Sequence, residues 1–378
     1  MPGTNYLCID DQRDTSSIQL LLDKLGDGIN VIFTRQSPSG LEKQLDEVSS
    51  AASRTPKGDS FGLLIDLRLD MEADEHGERV PYRGPTLAQE IRTRMVEGVI
   101  PSFPIVLWSI DEKFVTSYYG DDTSHDLFDA VYGKDEDVVK RSGVVGLEMF
   151  ALAVGYRALS DVNDVEQLAR ALQRTACIGT ATYADFFGEC VEAVAKRSKH
   201  AISRLLLTSL INRSGLLVDE MLLAARLGVD YAGCTEEWNR FLTQIEDAQY
   251  KGPFFQGWRR WWWYDVENWW TCLGDGQRNL RRLAASERVH ILNTIFDASL
   301  VPATAIVDGY SSKFFAVCVA TSRPLDPIDG LRVTKSNVRS WNDTYYVSAA
   351  AALERVNKDR WKIHPSDHAR FDLLKKGG

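Results

Sequence analysis

Phe61-Gly62-Leu63-Leu64-Ile65 is apolar and uncharged up to Asp66, after which Leu67 and Arg68 follow. An uncharged run of this length reads as a strand buried on both faces, as in a parallel sheet. A carboxylate closing such a strand is costly unless chemistry or a cation uses it. The run from Tyr6 closes in the same way, on Asp10 and Asp11. Phe103-Pro-Ile-Val-Leu-Trp108 closes on Ser109, and Leu127-Phe-Asp-Ala-Val-Tyr-Gly133 closes on Lys134. Four apolar strands thus carry an acidic pair, an aspartate, a hydroxyl and a lysine at their carboxyl ends. In an open parallel α/β sheet those ends share one edge, where ligand sites lie. Three carboxylates there would gather a hard cation such as Mg2+, which takes oxygen ligands. The hydroxyl and the lysine would hold a phosphoryl group on Asp66.

In the order acidic pair, aspartate, hydroxyl, lysine, residues 5 to about 140 resemble the receiver domain of two-component response regulators. The resemblance implies a flavodoxin-like, doubly wound parallel sheet of five strands. It implies that Asp66 accepts a phosphoryl group from a phosphohistidine on a partner histidine kinase or related ATPase. It also implies that Asp10, Asp11, Asp66 and the backbone carbonyl of Arg68 organise Mg2+, and that Ser109 and Lys134 contact the phosphoryl oxygens. The chain departs from the family pattern at several positions. Asp135 stands where proline usually follows the lysine. Val131 occupies the usual place of the aromatic switch residue, with Tyr132 one step away. Ile110 replaces a small residue after the hydroxyl and is expected to crowd the phosphoryl site. The loop from Asp70 to Pro85 is long and acidic.

The first 140 residues alternate as βα units require. Strands are expected at 5–10, 29–34, 61–66, 103–109 and 129–133. Helices are expected from a Ser16/Ser17 cap through Leu25, over 40–52 and over 86–98. A short, partly irregular fourth helix is expected over Asp111–Asp126. From Leu147 the apolar spacing becomes helical, over 147–159, 164–177, 182–212 and 216–228. The expected organisation is a receiver-like domain over 1–140, a helical domain over 141–230, and a tryptophan-rich helical plus C-terminal α+β region over 231–378.

The last region holds the oddest stretch. Six of the ten tryptophans lie between Trp258 and Trp270, interleaved with Arg259 and Arg260. As a helix this run would place Trp258, Trp261 and Trp262 on one face, with Trp269 two turns on. A buried core is the preferred reading, ahead of a stacking platform for bases or an anchor surface for a protein. A helix over 276–296 would put Arg278, Arg281 and Arg282 on one solvated face. Thr304–Val307 and Lys313–Ala320 read as a hairpin about Asp308-Gly309. A strand over 341–348 and a helix over 349–357 would follow. His364, Asp367 and His368 fall in a surface tail whose Pro365 breaks the helical spacing that a metal pair would need.

The net charge of −9 is uneven. Up to residue 140 there are 26 acidic against 14 basic side chains, a balance of −12; the remainder has 27 against 30, a balance of +3. So near neutral a balance argues against a strongly electrostatic nucleic-acid domain. The six cysteines are scattered and form no CxxC, and no spanning run or leader is evident, so a cytoplasmic protein is expected. The functional expectation is a phospho-acceptor signalling protein, not an enzyme with turnover of its own, acting through a downstream protein partner. Pairing of adjoining helices would make it a homodimer. By analogy, receivers with unfamiliar outputs serve bacterial defence and stress signalling. The alternatives are a pseudo-receiver scaffold and a transcription regulator whose carboxyl half binds DNA. An aspartate-based phosphohydrolase would want a second Asp where Arg68 stands.

Overall fold

The computed structural model describes residues 3–72, 79–110, 127–273 and 279–377. The expected fourth helix over Asp111–Asp126, part of the acidic loop, the side chain of Asp135 and Arg278 lie outside the described residues. The chain divides into two compact units, Met1–Leu207 with Lys251–Trp258, and Thr208–Tyr250 with Arg259–Gly378.

In the first unit, five strands form one parallel sheet: β1 (Thr4–Ile9), β2 (Val31–Gln36), β3 (Ser60–Asp66), β4 (Ile105–Ser109) and β5 (Ala130–Gly133). Their order is β2-β1-β3-β4-β5, the flavodoxin-like arrangement. The helices α1 (Thr15–Gly26), α2 (Leu41–Arg54) and α3 (Gly84–Val96) connect them. Crossover helices bury both faces of such a sheet, so Leu63, Leu64 and Ile65 are all buried although their side chains alternate. Ile65 and Leu107 pack with Leu87 and Ile91 of α3; each such side chain is worth about 1.5–3 kcal/mol when removed from water.

The start of α1 corrects the sequence reading. Asp14 is the cap, and its carboxylate accepts the N–H groups of Ser16 and Ser17, both at 3.2 Å. A wide turn over Lys134–Val139 leads from β5 into α4 (Lys140–Ala158). Tyr6 of β1 donates its hydroxyl to the carbonyl of Met149 on α4 at 2.8 Å. Gly155 of α4 is needed as glycine, because a Cβ there would meet the Phe254 ring at 2.1 Å. The long helix expected over 182–212 is divided into Ala184–Ala195 and Lys199–Leu205. Arg197 between them takes a left-handed φ of 53°, and Ser198 then caps the next helix through the N–H of Ala201.

The second unit is mostly short helices and two-stranded pairings. Trp261–Trp262 is a strand, not helix, and pairs antiparallel with Leu217–Val218. The helix begins only at Trp263 and runs to Cys272. Cross-strand burial of two adjacent indoles wins over helical spacing here: Trp261, Trp262, Trp263 and Trp270 are all buried. The segment is therefore core, as preferred, though not as one helix. The helix expected over 276–296 is Ala285–Phe296, preceded by a tight turn at Leu280–Arg282. The expected hairpin is displaced along the chain: Ala316–Val317 pairs with Pro324–Leu325, and Thr304–Val307 forms no strand. Tyr346–Ser348 pairs with Gly330–Arg332.

Candidate functional site

The carboxyl edge of the sheet brings together the residues that close its strands. The register sets Asp66 opposite Trp108 and Ser109 opposite Gly133, so β3, β4 and β5 end level with one another. Carboxylate oxygens of Asp10, Asp11 and Asp66 lie within 4.8 Å of one another. Lys134 extends its Nζ to 2.7 Å from Asp10 Oδ2 and 3.5 Å from Asp66 Oδ1. Asp10, Asp66, Ser109 and Lys134 are all buried, and Asp11 is half-buried.

Each acidic group is oriented by backbone. Asp66 Oδ1 accepts the N–H of Leu67 at 2.9 Å. Asp10 Oδ1 accepts the N–H of Gln12 at 3.0 Å. Asp11 Oδ2 accepts the N–H groups of Met71 and Glu72 at 2.8 and 2.9 Å, tying the segment after β3 to the end of β1. Gly84 lets α3 begin against β3, since a Cβ there would sit 2.4 Å from the carbonyl oxygen of Asp66. The Arg68 guanidinium turns to Asp70 at 2.8 Å.

The charges are strongly coupled. Burial pushes the Asp66 carboxyl up to about 7, Lys134 opposes that rise, and Asp10 and Asp11 add to it. Burial also raises the Asp11 carboxyl, against the pull of its two backbone N–H donors. Burial would lower the Lys134 ammonium, yet Asp66 and Asp10 outweigh it and hold it above its ordinary value. A buried group that stays charged because of carboxylates on two different strands acts as an internal counter-ion.

The donor set fits a hard divalent cation. Three carboxylates are held close at mutual electrostatic cost, all the donors are oxygen, and Lys134 already supplies positive charge on one side. Among the described residues no other group of three or more His, Cys, Asp or Glu side chains clusters in this way. His364, Asp367 and His368 do not converge on an ion. Asp367 pairs with Arg332 at 2.9 Å, and His364 Nδ1 faces Ser366 Oγ at 2.7 Å.

Ile110, expected to crowd the phosphoryl site, is 57% exposed. Tyr132, rather than residue 131, is the buried aromatic of β5, and its hydroxyl donates to Glu148 Oε2 of α4 at 2.8 Å.

Two features escaped the sequence. Trp108 lies under Lys134, with Nζ 4.6 Å from the ring centroid, which adds a cation–π contact to the counter-ion. Its place one residue before Ser109 was the available signal. The second feature is a buried network around Asp129. Arg92 Nη2 lies 2.7 Å from Asp129 Oδ2, Tyr156 donates to Oδ1 at 2.6 Å, and His200 Nδ1 is 3.2 Å from Oδ1. Burial would raise the Asp129 carboxyl, but Arg92 and His200 outweigh it and hold it well below the ordinary carboxylate range. Four segments of the chain meet there, and no spacing announces it.

No protein-family model matches this chain, and no curated protein shows significant similarity to it. Among the described residues, no helix is long and apolar enough to cross a membrane.

Proposed function

We propose that this protein is a receiver-type phospho-acceptor whose chemical residue is Asp66. The observation that carries the reading is the convergence of Asp10, Asp11, Asp66 and Lys134 at one sheet edge. In the proposed step, an Asp66 carboxylate oxygen attacks the phosphorus of a phosphohistidine. A phosphorus–oxygen bond forms, the phosphorus–nitrogen bond breaks, and the imidazole nitrogen leaves with the electron pair.

Asp66 is held at the strand end by the N–H of Leu67, so one oxygen is fixed and the other is available to attack. Lys134 reaches Asp66 now, and would follow the charge onto a phosphoryl oxygen; Ser109, on the neighbouring strand, would donate to another. Asp10, Asp11 and Asp66 would hold Mg2+, with the Arg68 carbonyl as a further ligand. The ion would supply neutralising charge during transfer. The phosphoryl donor would be a histidine kinase or related ATPase. The chain would have no turnover chemistry of its own, and its output would run through a protein partner rather than duplex DNA.

Beryllofluoride, a phosphoryl mimic, tests this reading. Added with Mg2+, it should change the fluorescence contributed by Trp108, which touches Lys134. The change should vanish in Trp108→Phe and in Asp66→Asn. An unaltered signal in the wild-type chain, with Mg2+ and beryllofluoride both in excess, would count against the site.

A further inference from the structure

Arg35 lies near the end of β2, opposite Cys8 of β1 in the parallel register. Its side chain reaches past that position to the turn that follows β1. A single nitrogen, Nη2, donates to two backbone carbonyls, that of Asp10 at 3.1 Å and that of Gln12 at 2.5 Å. The two acceptors flank Asp11 in the chain. The turn is also closed from within, since Asp10 Oδ1 accepts the N–H of Gln12 at 3.0 Å. On the other side the N–H groups of Met71 and Glu72 hold Asp11 Oδ2. The acidic pair is thus braced twice: from β2 through its backbone, and from the segment after β3 through a carboxylate.

Stability alone is a poor account of this arginine. Arg35 is half-buried, and its Nε is shielded from solvent without a partner among the described residues, a cost that the two Nη2 bonds must offset. Nor does it serve as the counter-ion. Both of its acceptors are carbonyls, and the Asp10 carboxylate takes the Lys134 ammonium instead. In charge alone a guanidinium beside a cation site is unfavourable, because it repels the incoming ion. What Arg35 offers is geometry. Two carbonyls gathered on one nitrogen of a planar, pre-organised group fix the path of the chain from Asp10 to Gln12. That path sets where the Asp10 and Asp11 side chains leave the backbone, and groups that orient ligands in this way tune the affinity of a metal site.

We propose, on the reading of Asp10, Asp11 and Asp66 as a cation site, that Arg35 is a positioning residue for that site. It holds the acidic pair in the arrangement a divalent cation needs, although its own charge opposes the ion. The brace and the charge act with opposite signs on affinity, so a single neutral substitution separates them.

The test follows thermal melts of the full chain over a Mg2+ series, where the rise in melting temperature reports the affinity for the ion. Each variant is read against its own melt in chelator, so a plain loss of stability does not count. Arg35→Met removes the donors and the charge together. Mg2+ should bind about tenfold more weakly, the scale of loss when a group that orients metal ligands is removed. Arg35→Lys, which keeps a donor and the charge, should recover part of the affinity. Arg35→Gln, equally neutral, is read in the same way if Arg35→Met does not fold. Affinity unchanged or tighter in a folded neutral variant overturns the proposal, because the charge then outweighs the brace. So does a loss that Arg35→Lys relieves in no part. A wild-type chain with no saturable Mg2+ response removes the cation site itself, and the role of Arg35 with it.

Discussion

Lys134 Nζ lies 2.7 Å from Asp10 Oδ2, joining residues 124 apart in sequence inside a site where neither side chain is more than 2% exposed. This pair closes β1 against the end of β5. Lys134→Met would leave Asp10 as a buried carboxylate without its counter-ion. Breaking a buried pair from one side costs about 3–5 kcal/mol. Urea denaturation should show a loss of that order, and wild-type stability in Lys134→Met would mean that the pair does not hold the edge together.

Asp11 responds in the opposite direction. Burial and its acidic neighbours disfavour its charge more than the Met71 and Glu72 N–H groups favour it. Asp11→Asn keeps an acceptor oxygen for those donors and removes the charge. Thermal melts in chelator should therefore show a higher melting temperature than wild type, and added Mg2+ should stabilise the variant less than wild type. A lower melting temperature in chelator, together with an undiminished Mg2+ response, would contradict the carboxylate cluster.

The Asp129 network gives a pH signature. The folded-state pKa of Asp129 lies below its ordinary value of 3.8, so its stabilisation is present above that pH and is lost as pH falls below it. Asp129→Asn should cost about 3–5 kcal/mol near neutral pH, because it leaves Arg92 buried without its carboxylate. The gap from wild type should narrow at about pH 3, where the unfolded chain's carboxyl is protonated. Urea curves at the two pH values measure it, and a constant gap would remove Asp129 as the charged centre of the network.

The edge of the first unit was legible because each strand is a short apolar run that stops at a polar residue. Asp10, Asp66, Ser109 and Lys134 could be aligned without knowing the helices between them. The Asp14 cap was missed because Ser16 and Ser17, which it engages, are themselves good capping residues. The second unit hides its logic in pairings across the chain. Trp261 and Trp262 look helical in isolation, but Leu217 and Val218 lie 45 and 43 positions from their partners and pull them into a strand. Arg226 sits in a helix of ordinary composition, and only Trp263, Phe315 and Asp343 make it a core residue. Local spacing carries no trace of such contacts.

The tryptophan segment should behave as core, but unevenly. Trp262 is 2% exposed and packs edge-on to Tyr250 at 5.7 Å. Trp262→Ala should cost about 3–5 kcal/mol. Trp269 is partly buried and stacks on Phe296 at 5.8 Å, so Trp269→Ala should cost less. Thermal or chemical melts of the two variants rank them; near-wild-type stability in both would instead point to a recognition surface, with Arg259 and Arg260 the next residues to test.

If Asp66 accepts a phosphoryl group, intact-mass spectrometry after incubation with acetyl phosphate and Mg2+ will register it. The wild-type chain should gain one phosphoryl group, labile to hydroxylamine as an acyl phosphate is. Asp66→Asn should gain none while keeping its fold by circular dichroism. A folded Asp66→Asn chain that gains the same mass, or a wild-type chain that gains none, would rule out Asp66 as the phosphoryl acceptor.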